Sequence, residues 1–260
     1  MHNSIPLSSI HDKSFKARRE LLEQAQDFGF ALIEVDELKH IEALNTGIEE
    51  AQKLGSFRFP PINVERIEYS EVHRTVFKAL FSIALECLSL LTEQDEHIST
   101  QVNALFSESE HEPFPLHHDF HPTFFNLFNY DHGALNTHQD RGLITIIHIQ
   151  PPNTDLEHKS ALWIEGADQK WRSGDAVIHA KQSEKVHAKY VLMLVGEEGE
   201  RLFSTCGLEG VYAADHSVRV HPEGEFIEYS HHQRDPDSQA ELNRLSAALI
   251  LQKTIPDSIN

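Results

Sequence analysis

Apolar side chains at Phe15, Leu21, Leu22, Ala25 and Phe28 recur at helical spacing, which predicts an amphipathic helix from about Asp12 to Phe28. Gly29 breaks the pattern, and Phe30-Ala31-Leu32-Ile33-Glu34-Val35 reads as a strand. Asp36 is then the expected N-cap of a helix running to about Leu54. Pro60-Pro61 marks a loop. Val72, Val76, Leu80 and Ala84 follow at intervals of four, with Phe77, Phe81 and Leu88 beside them, and predict a long helix. Lys78 and Glu86 interrupt its apolar run, so it is expected in a core and not across a membrane.

Beyond about Ile98 the pattern shortens. Strands are predicted at 123–130, 143–149, 161–165, 175–180, 190–196, 201–206, 216–220 and 225–230, separated by Gly, Pro, Asn and Asp turns. That spacing suggests a β-sandwich or a jelly-roll barrel. From about Asp237 to Lys253, Leu242, Leu245, Leu249 and Ile250 fall on one side and predict a closing helix. The expected class is α+β, predominantly β, in one domain. Its helical part covers about 1–97, its β core about 98–232 and its C-terminal helix about 237–253.

Composition narrows the function more than the fold. A chain of 260 residues with 40% hydrophobic and 24% charged residues can bury a sizeable core. A net charge of −19 argues against nucleic-acid and anionic-membrane partners, which call for clustered Lys and Arg. Cys87 and Cys206 give no disulfide framework and suit a reducing compartment. The start, Met1-His2-Asn3-Ser4-Ile5-Pro6, lacks a secretory pattern, so a soluble cytoplasmic protein is expected. Nothing in the pattern bears on oligomeric state.

The chemistry concentrates in Tyr130–Ile149. His138 and Asp140 lie two apart, then Gly142, then an apolar β-branched run. On a strand such a pair shares a face, and an imidazole with a carboxylate supplies two thirds of a 2-His-1-carboxylate facial triad for non-haem Fe(II). With 19 histidines and 14 aspartates, one His-x-Asp is expected about once by chance, and His117 with Asp119 is a second. Context favours the first, because 117–121 is polar and proline-bounded whereas Leu143–Ile149 reads as strand.

Several segments in order resemble the isopenicillin N synthase-like branch of the Fe(II)- and 2-oxoglutarate-dependent oxygenases. Asp27-Phe28-Gly29-Phe30-Ala31-Leu32-Ile33 resembles the family's turn from helix into first strand, and Phe124–Tyr130 the strand before the metal motif. His138-Gln139-Asp140-Arg141-Gly142-Leu143-Ile144-Thr145 resembles His-Thr-Asp-x-Gly-Leu-Leu-Thr. Leu162-Trp163-Ile164, Lys170-Trp171 and Gly174-Asp175-Ala176-Val177-Ile178 resemble the hairpin and strand that follow. Gly210–Val218 resembles the segment delivering the distal histidine, which would be His216. The resemblance implies a double-stranded β-helix, Fe(II) held by His138, Asp140 and His216, and O2 and 2-oxoglutarate as co-substrates. It further implies a small organic substrate that is hydroxylated, desaturated or cyclised.

Two features depart from the family pattern. His138 and His216 are further apart than usual, with extra sequence at about 181–208 that holds an added strand, Tyr190–Val195. His179 and His187 lie near it as rival distal ligands. The family also places Arg-x-Ser ten and twelve residues after the distal histidine to grip 2-oxoglutarate, where this chain has Phe226 and Glu228. Those even offsets keep both on the metal-facing side of a regular strand.

If the anchor has moved, Arg141, Arg219, Lys181 and Lys185 are the alternatives, with Tyr130 matching the family's co-substrate tyrosine. Arg219 has the wrong parity for the interior unless a bulge intervenes. A second reading drops 2-oxoglutarate, as isopenicillin N synthase does, and lets Glu228 receive a cationic substrate. A third is an inactive ligand-binding barrel. His148, at an even offset from His138, is expected to line the cavity. His117, His118, His121, His231 and His232 offer a second metal cluster.

Overall fold

The computed structural model describes residues 3–54, 57–59, 71–107, 123–130, 135–150, 160–185, 187–220 and 244–251. Their order begins β1 (Ile5–Pro6), α1 (Leu7–His11), α2 (Phe15–Phe28), β2 (Phe30–Val35), α3 (Leu38–Leu54), β3 (Phe57–Phe59), α4 (Glu71–Thr92) and α5 (Glu96–Ser107). It continues β4 (Thr123–Tyr130), β5 (Leu135–His138), β6 (Ile144–Gln150), β7 (Ser160–Glu165), β8 (Trp171–Ser173) and α6 (Gly174–Glu184). Last come β9 (Lys189–Val195), α7 (Glu197–Thr205), β10 (His216–Val220) and β11 (Arg244–Leu251).

The strands form a seven-stranded sheet, β1-β2-β9-β6-β11-β4-β3, and a four-stranded sheet, β5-β10-β7-β8. β2 and β9 are apolar at nearly every position because both faces of the larger sheet are covered. Ala31, Ile33, Val35, Val191, Met193 and Val195 join a core with α1, α2 and α4. Phe30, Leu32, Tyr190, Leu192 and Leu194 face the other way and pack with Leu162, Ile164 and Val218 of the smaller sheet. One hydrophobic layer thus lies under the helices and a second lies between the sheets.

Gly29 closes α2 in the left-handed region at φ +75°, and a Cβ there would stand 2.6 Å from the Ala214 Cβ. The helix can therefore turn into β2 hard against the segment that leads to β10. α4 is long and apolar enough at Thr75–Thr92 to cross a membrane by length and composition, yet 67% of that window is buried inside the protein.

Four expectations are corrected. Residues 175–180 belong to α6 and not to a strand: the Ser173 Oγ accepts the Ala176 N–H at 3.1 Å, and the buried Asp175 carboxylate accepts the Leu162 N–H at 2.7 Å. Residues 201–206 fall largely in α7, whose first turn carries Glu197, Glu198 and Glu200 against the positive end of its dipole. The C-terminal helix expected at 237–253 is instead β11, paired along both edges, to β6 and to β4. A short apolar run fits either periodicity, and only the long-range pairing decides it. Asp36 does not cap α3. Its Oδ1 accepts the Ser8 N–H at 3.1 Å and its Oδ2 the Ser8 hydroxyl, which holds the first turn of α1.

The helical part also runs past 97, through α5 to Ser107. β9, read as an addition, is an interior strand of the larger sheet between β2 and β6. The long connection lies elsewhere, at 221–243 between β10 and β11. The strand expected at 225–230 lies outside the described residues.

β6 alternates between the two layers. Ile144 and Ile146 face the helices, Ile147 and Ile149 the inter-sheet space. His148 shares the parity of Ile144 and is 1% exposed, with its Nδ1 3.0 Å from the Tyr190 carbonyl oxygen. Burial lowers its pKa to about 4; Lys189 adds to the shift and the Tyr190 carbonyl opposes it. A folded-state value below the unfolded one of about 6.5 gives stability that is present above pH 6.5 and lost as pH falls toward 4. Between about pH 7 and pH 5, wild type is expected to lose about 2 kcal/mol more unfolding free energy than His148→Gln. Urea denaturation at the two pH values checks this, and equal losses would contradict it.

Candidate metal centre

β5 ends at His138 and β10 begins at His216, and the two are direct cross-strand partners. Their imidazole centroids stand 4.3 Å apart with the rings inclined at 52°. Asp140 is not on a strand; it lies in the turn that carries the chain from β5 in one sheet to β6 in the other. Its convergence with His138 therefore comes from the crossing between sheets and not from strand alternation.

The carboxylate bridges the two rings. Asp140 Oδ1 lies 3.7 Å from the His138 Nε2, and Oδ2 lies 3.7 Å from the His216 Nε2. His216 donates through Nδ1 to the Ala214 carbonyl oxygen at 3.1 Å, which leaves the Nε2 lone pair facing the carboxylate. A separation of 3.7 Å is too long for a hydrogen bond. The arrangement is a convergent set of lone pairs, and it fits a cation. Bonds of about 2.1 Å at right angles place ligand atoms about 3 Å apart, so a small contraction completes the facial set. Among the described residues, His138, Asp140 and His216 form one of two groups compact enough to hold a metal. His216 and Asp140 have side-chain exposures of 5% and 9%, whereas that of His138 is 25%, so the set opens on the His138 side.

The residues behind this set hold it from two directions. Thr145 Oγ1 donates to Asp140 Oδ2 at 2.5 Å. The amides at the start of α7 grip the turn: Glu197 N–H donates to the Asp140 carbonyl at 2.8 Å, Gly196 to Leu143 at 3.1 Å and Gly199 to Gly142 at 3.2 Å. The approach is so close that a Cβ on Gly199 would stand 1.9 Å from the Leu143 oxygen. α7 also reaches the distal ligand, because Glu200 Oε2 accepts the Ala213 N–H at 2.8 Å and the adjacent Ala214 carbonyl holds His216. The stretch read as an insertion is the brace of the site.

Other sequence candidates fall away from the triad. His179 is exposed on α6 and His187 is exposed in the turn after it. His148 lies on the helix-covered face, so it does not line the space beside the triad; parity counted from His138 does not survive the change of sheet. Arg141 is exposed, Lys181 pairs with Glu184 at 2.9 Å, and Lys185 pairs with Glu34 at 2.6 Å. Arg219 pairs with Ala161 and has opposite strand parity to His216. Phe226, Glu228, His117, His118, His121, His231 and His232 lie outside the described residues.

One signal was missed because it sat in the segment read as helix: Arg244-Leu245-Ser246 opens β11 and spells Arg-x-Ser. Ser246 pairs with Ile149, Ala248 with Ile147 and Ile250 with Thr145, so even positions of β11 hold the inter-sheet face that Thr145 shares. Arg244 has that parity, and its cross-strand partner is Tyr130.

Solved structures share this architecture. A C-terminally truncated hydroxylase-fold protein of Neurospora crassa, solved in apo form, aligns with a TM-score of 0.56 at 13% identity, covering 97% of this chain and 95% of that one. The fold is that of the 2OG-Fe(II) oxygenases. A Caulobacter crescentus protein assigned to the 2OG-Fe(II) oxygenase family aligns at 0.50 with 13% identity, covering 98% and 90%. The full-length form of the Neurospora crassa protein, in complex with alpha-KG, aligns at 0.53 with 12% identity, covering 98% and 88%. No family model and no curated protein sequence matches the chain. At these identities the likeness to the oxygenases is one of fold, and the chemistry has to be argued from the residues above.

Outer partners that orient a ligating carboxylate commonly carry a factor of about ten or more in metal affinity. Thr145→Val is expected to weaken Fe(II) or Co(II) binding by about 10- to 100-fold while the urea midpoint changes little. Anaerobic metal titration checks this, and undiminished affinity would remove Thr145 from the site.

Proposed function

We propose that this chain is a non-haem Fe(II)-dependent oxygenase that uses 2-oxoglutarate and O2 to oxidise a C–H bond of a small organic substrate. The observation that carries the reading is the convergence of His138 Nε2, His216 Nε2 and the Asp140 carboxylate at 3.7 Å spacings. We read the four- and seven-stranded sheets as the double-stranded β-helix that frames such a centre.

Two neutral imidazoles and one carboxylate suit Fe(II) and leave three adjacent positions for co-substrate and O2. When bound, the metal would supply the activation of O2 that no side chain can provide. The chain supplies position and charge. Asp140 offsets one unit of the cation's charge, the Nδ1–H of His216 stays on the Ala214 carbonyl so that Nε2 remains a donor to the metal, and α7 keeps the Asp140 turn from relaxing.

Register favours 2-oxoglutarate over the oxidase reading. A guanidinium recognises a carboxylate through paired, charge-assisted hydrogen bonds. Arg244 and Ser246 hold inter-sheet positions of β11, and Arg244 stands opposite Tyr130 at the end of β4. We assign the far carboxylate of 2-oxoglutarate to Arg244 and Ser246, with Tyr130 beside them. Phe226 and Glu228 then no longer stand in the anchor's place; they belong to the 221–243 connection, along with whatever that segment contributes to substrate choice.

Anaerobic titration with Fe(II) and then 2-oxoglutarate tests the assignment. The expected result is a visible metal-to-ligand charge-transfer band in wild type, absent in Asp140→Ala, and a 2-oxoglutarate affinity reduced about 100-fold in Arg244→Ala. A band whose 2-oxoglutarate dependence is the same in Arg244→Ala would overturn the anchor, and wild-type protein that binds no Fe(II) would overturn the centre.

A further inference from the structure

Away from the triad, the helical layer gathers a second set of metal-ligating side chains from three helices. His11 ends α1, Glu37 directly precedes α3, and Glu86 lies within α4; one ligating atom from each lies within 4.8 Å of the others. His11 Nδ1 stands 3.7 Å from Glu86 Oε1, which also accepts the Ser82 hydroxyl at 3.4 Å. The other oxygen, Glu86 Oε2, is buried and has no hydrogen-bond partner. Burial is the main cause that raises the Glu86 pKa; His11 opposes it, and the Glu37 carboxylate adds to it.

A second orphan points at the same cluster. His40 is 4% exposed, its Nε2 makes no hydrogen bond, and that nitrogen lies 3.4 Å from Glu37 Oε2. Burial lowers the His40 pKa, which keeps the ring neutral. A buried carboxylate oxygen and a buried imidazole nitrogen are each costly to leave unsatisfied, and an ion is one of the few explanations for finding both.

We propose that His11, Glu37 and Glu86 form a second divalent-cation site, of the zinc-binding kind, with His40 backing Glu37 from the interior. One imidazole nitrogen and two carboxylates are a zinc-type donor set, whereas calcium calls for about six or more oxygens. Tetrahedral zinc holds its ligand atoms about 3.4 Å apart, a contraction that side-chain rotation of about 1 Å provides. Lys39 Nζ, 3.0 Å from Glu37 Oε2 on a side chain that is 70% exposed, is the internal competitor and has room to withdraw into solvent. His40 is placed to donate to the bound Glu37 carboxylate, the usual support of a ligating group. The ion would staple α1, α3 and α4 together, independently of the triad and of the oxygenase reading.

Equilibrium dialysis of the full-length chain against Zn(II) tests the proposal. His138→Ala/His216→Ala protein is expected to retain one zinc equivalent, whose affinity falls at least about tenfold on adding His11→Ala or Glu86→Gln. Zn(II) should also raise the melting temperature of the triad-deficient protein, and the His11→Ala addition should abolish that rise. Should the double variant fail to fold, His11→Ala alone in the otherwise native chain is expected to lose one zinc equivalent while Fe(II) binding at the triad persists. Zinc binding and thermal response unchanged by both His11→Ala and Glu86→Gln would overturn the site, as would a folded triad-deficient protein that binds no zinc.

Discussion

Asp140 holds its carboxylate between two imidazole nitrogens that are each too far away to be hydrogen-bonded to it. Such a set of lone pairs does not gather by itself. It persists because the backbone around it is fixed by bonds that do not involve the ligands' own donor atoms. The α7 amides take the carbonyls of Asp140, Gly142 and Leu143, and Glu200 takes the amide beside the carbonyl that orients His216. One short helix thereby restrains both halves of the centre, and the absence of side chains at Gly196 and Gly199 lets it approach closely enough to do so.

The rest of the fold follows from the same constraint. β5 and β10 lie in the small sheet, while the chain after Asp140 passes directly into β6 of the large one. The turn at 139–143 can be held only if the two sheets keep a fixed separation. The inter-sheet layer of Phe30, Leu32, Ile147, Ile149, Leu162, Ile164, Leu192 and Val218 sets that separation. The helices on the outer face of the large sheet bury its other side, which is why β2 and β9 are apolar throughout instead of alternating.

Much of this was legible in the sequence, and what was not has physical causes. The triad could be read because its flanks, Gly142 to Thr145 and Gly210 to Val218, carry local signals of turn and strand. α6, α7 and β11 could not be assigned from local pattern. Val177-Ile178 has β-branched content but sits behind a Ser173 cap, and Arg244–Leu251 is apolar enough for either periodicity. That last misreading hid Arg244-Leu245-Ser246, so the anchor read as lost at Phe226 and Glu228. In the proposed assignment the motif is displaced by the length of the 221–243 connection. His148 failed for a related reason: strand parity holds within a sheet and is reset where the chain crosses to another.

The most direct test of the account is an anaerobic crystal structure of the chain with Mn(II), as a redox-inert stand-in for Fe(II), and 2-oxoglutarate. The account predicts one ion on His138 Nε2, Asp140 and His216 Nε2, with the far carboxylate of 2-oxoglutarate on Arg244 and Ser246 of β11. An ion ligated by His179 or His187, or a carboxylate held away from β11, would contradict it.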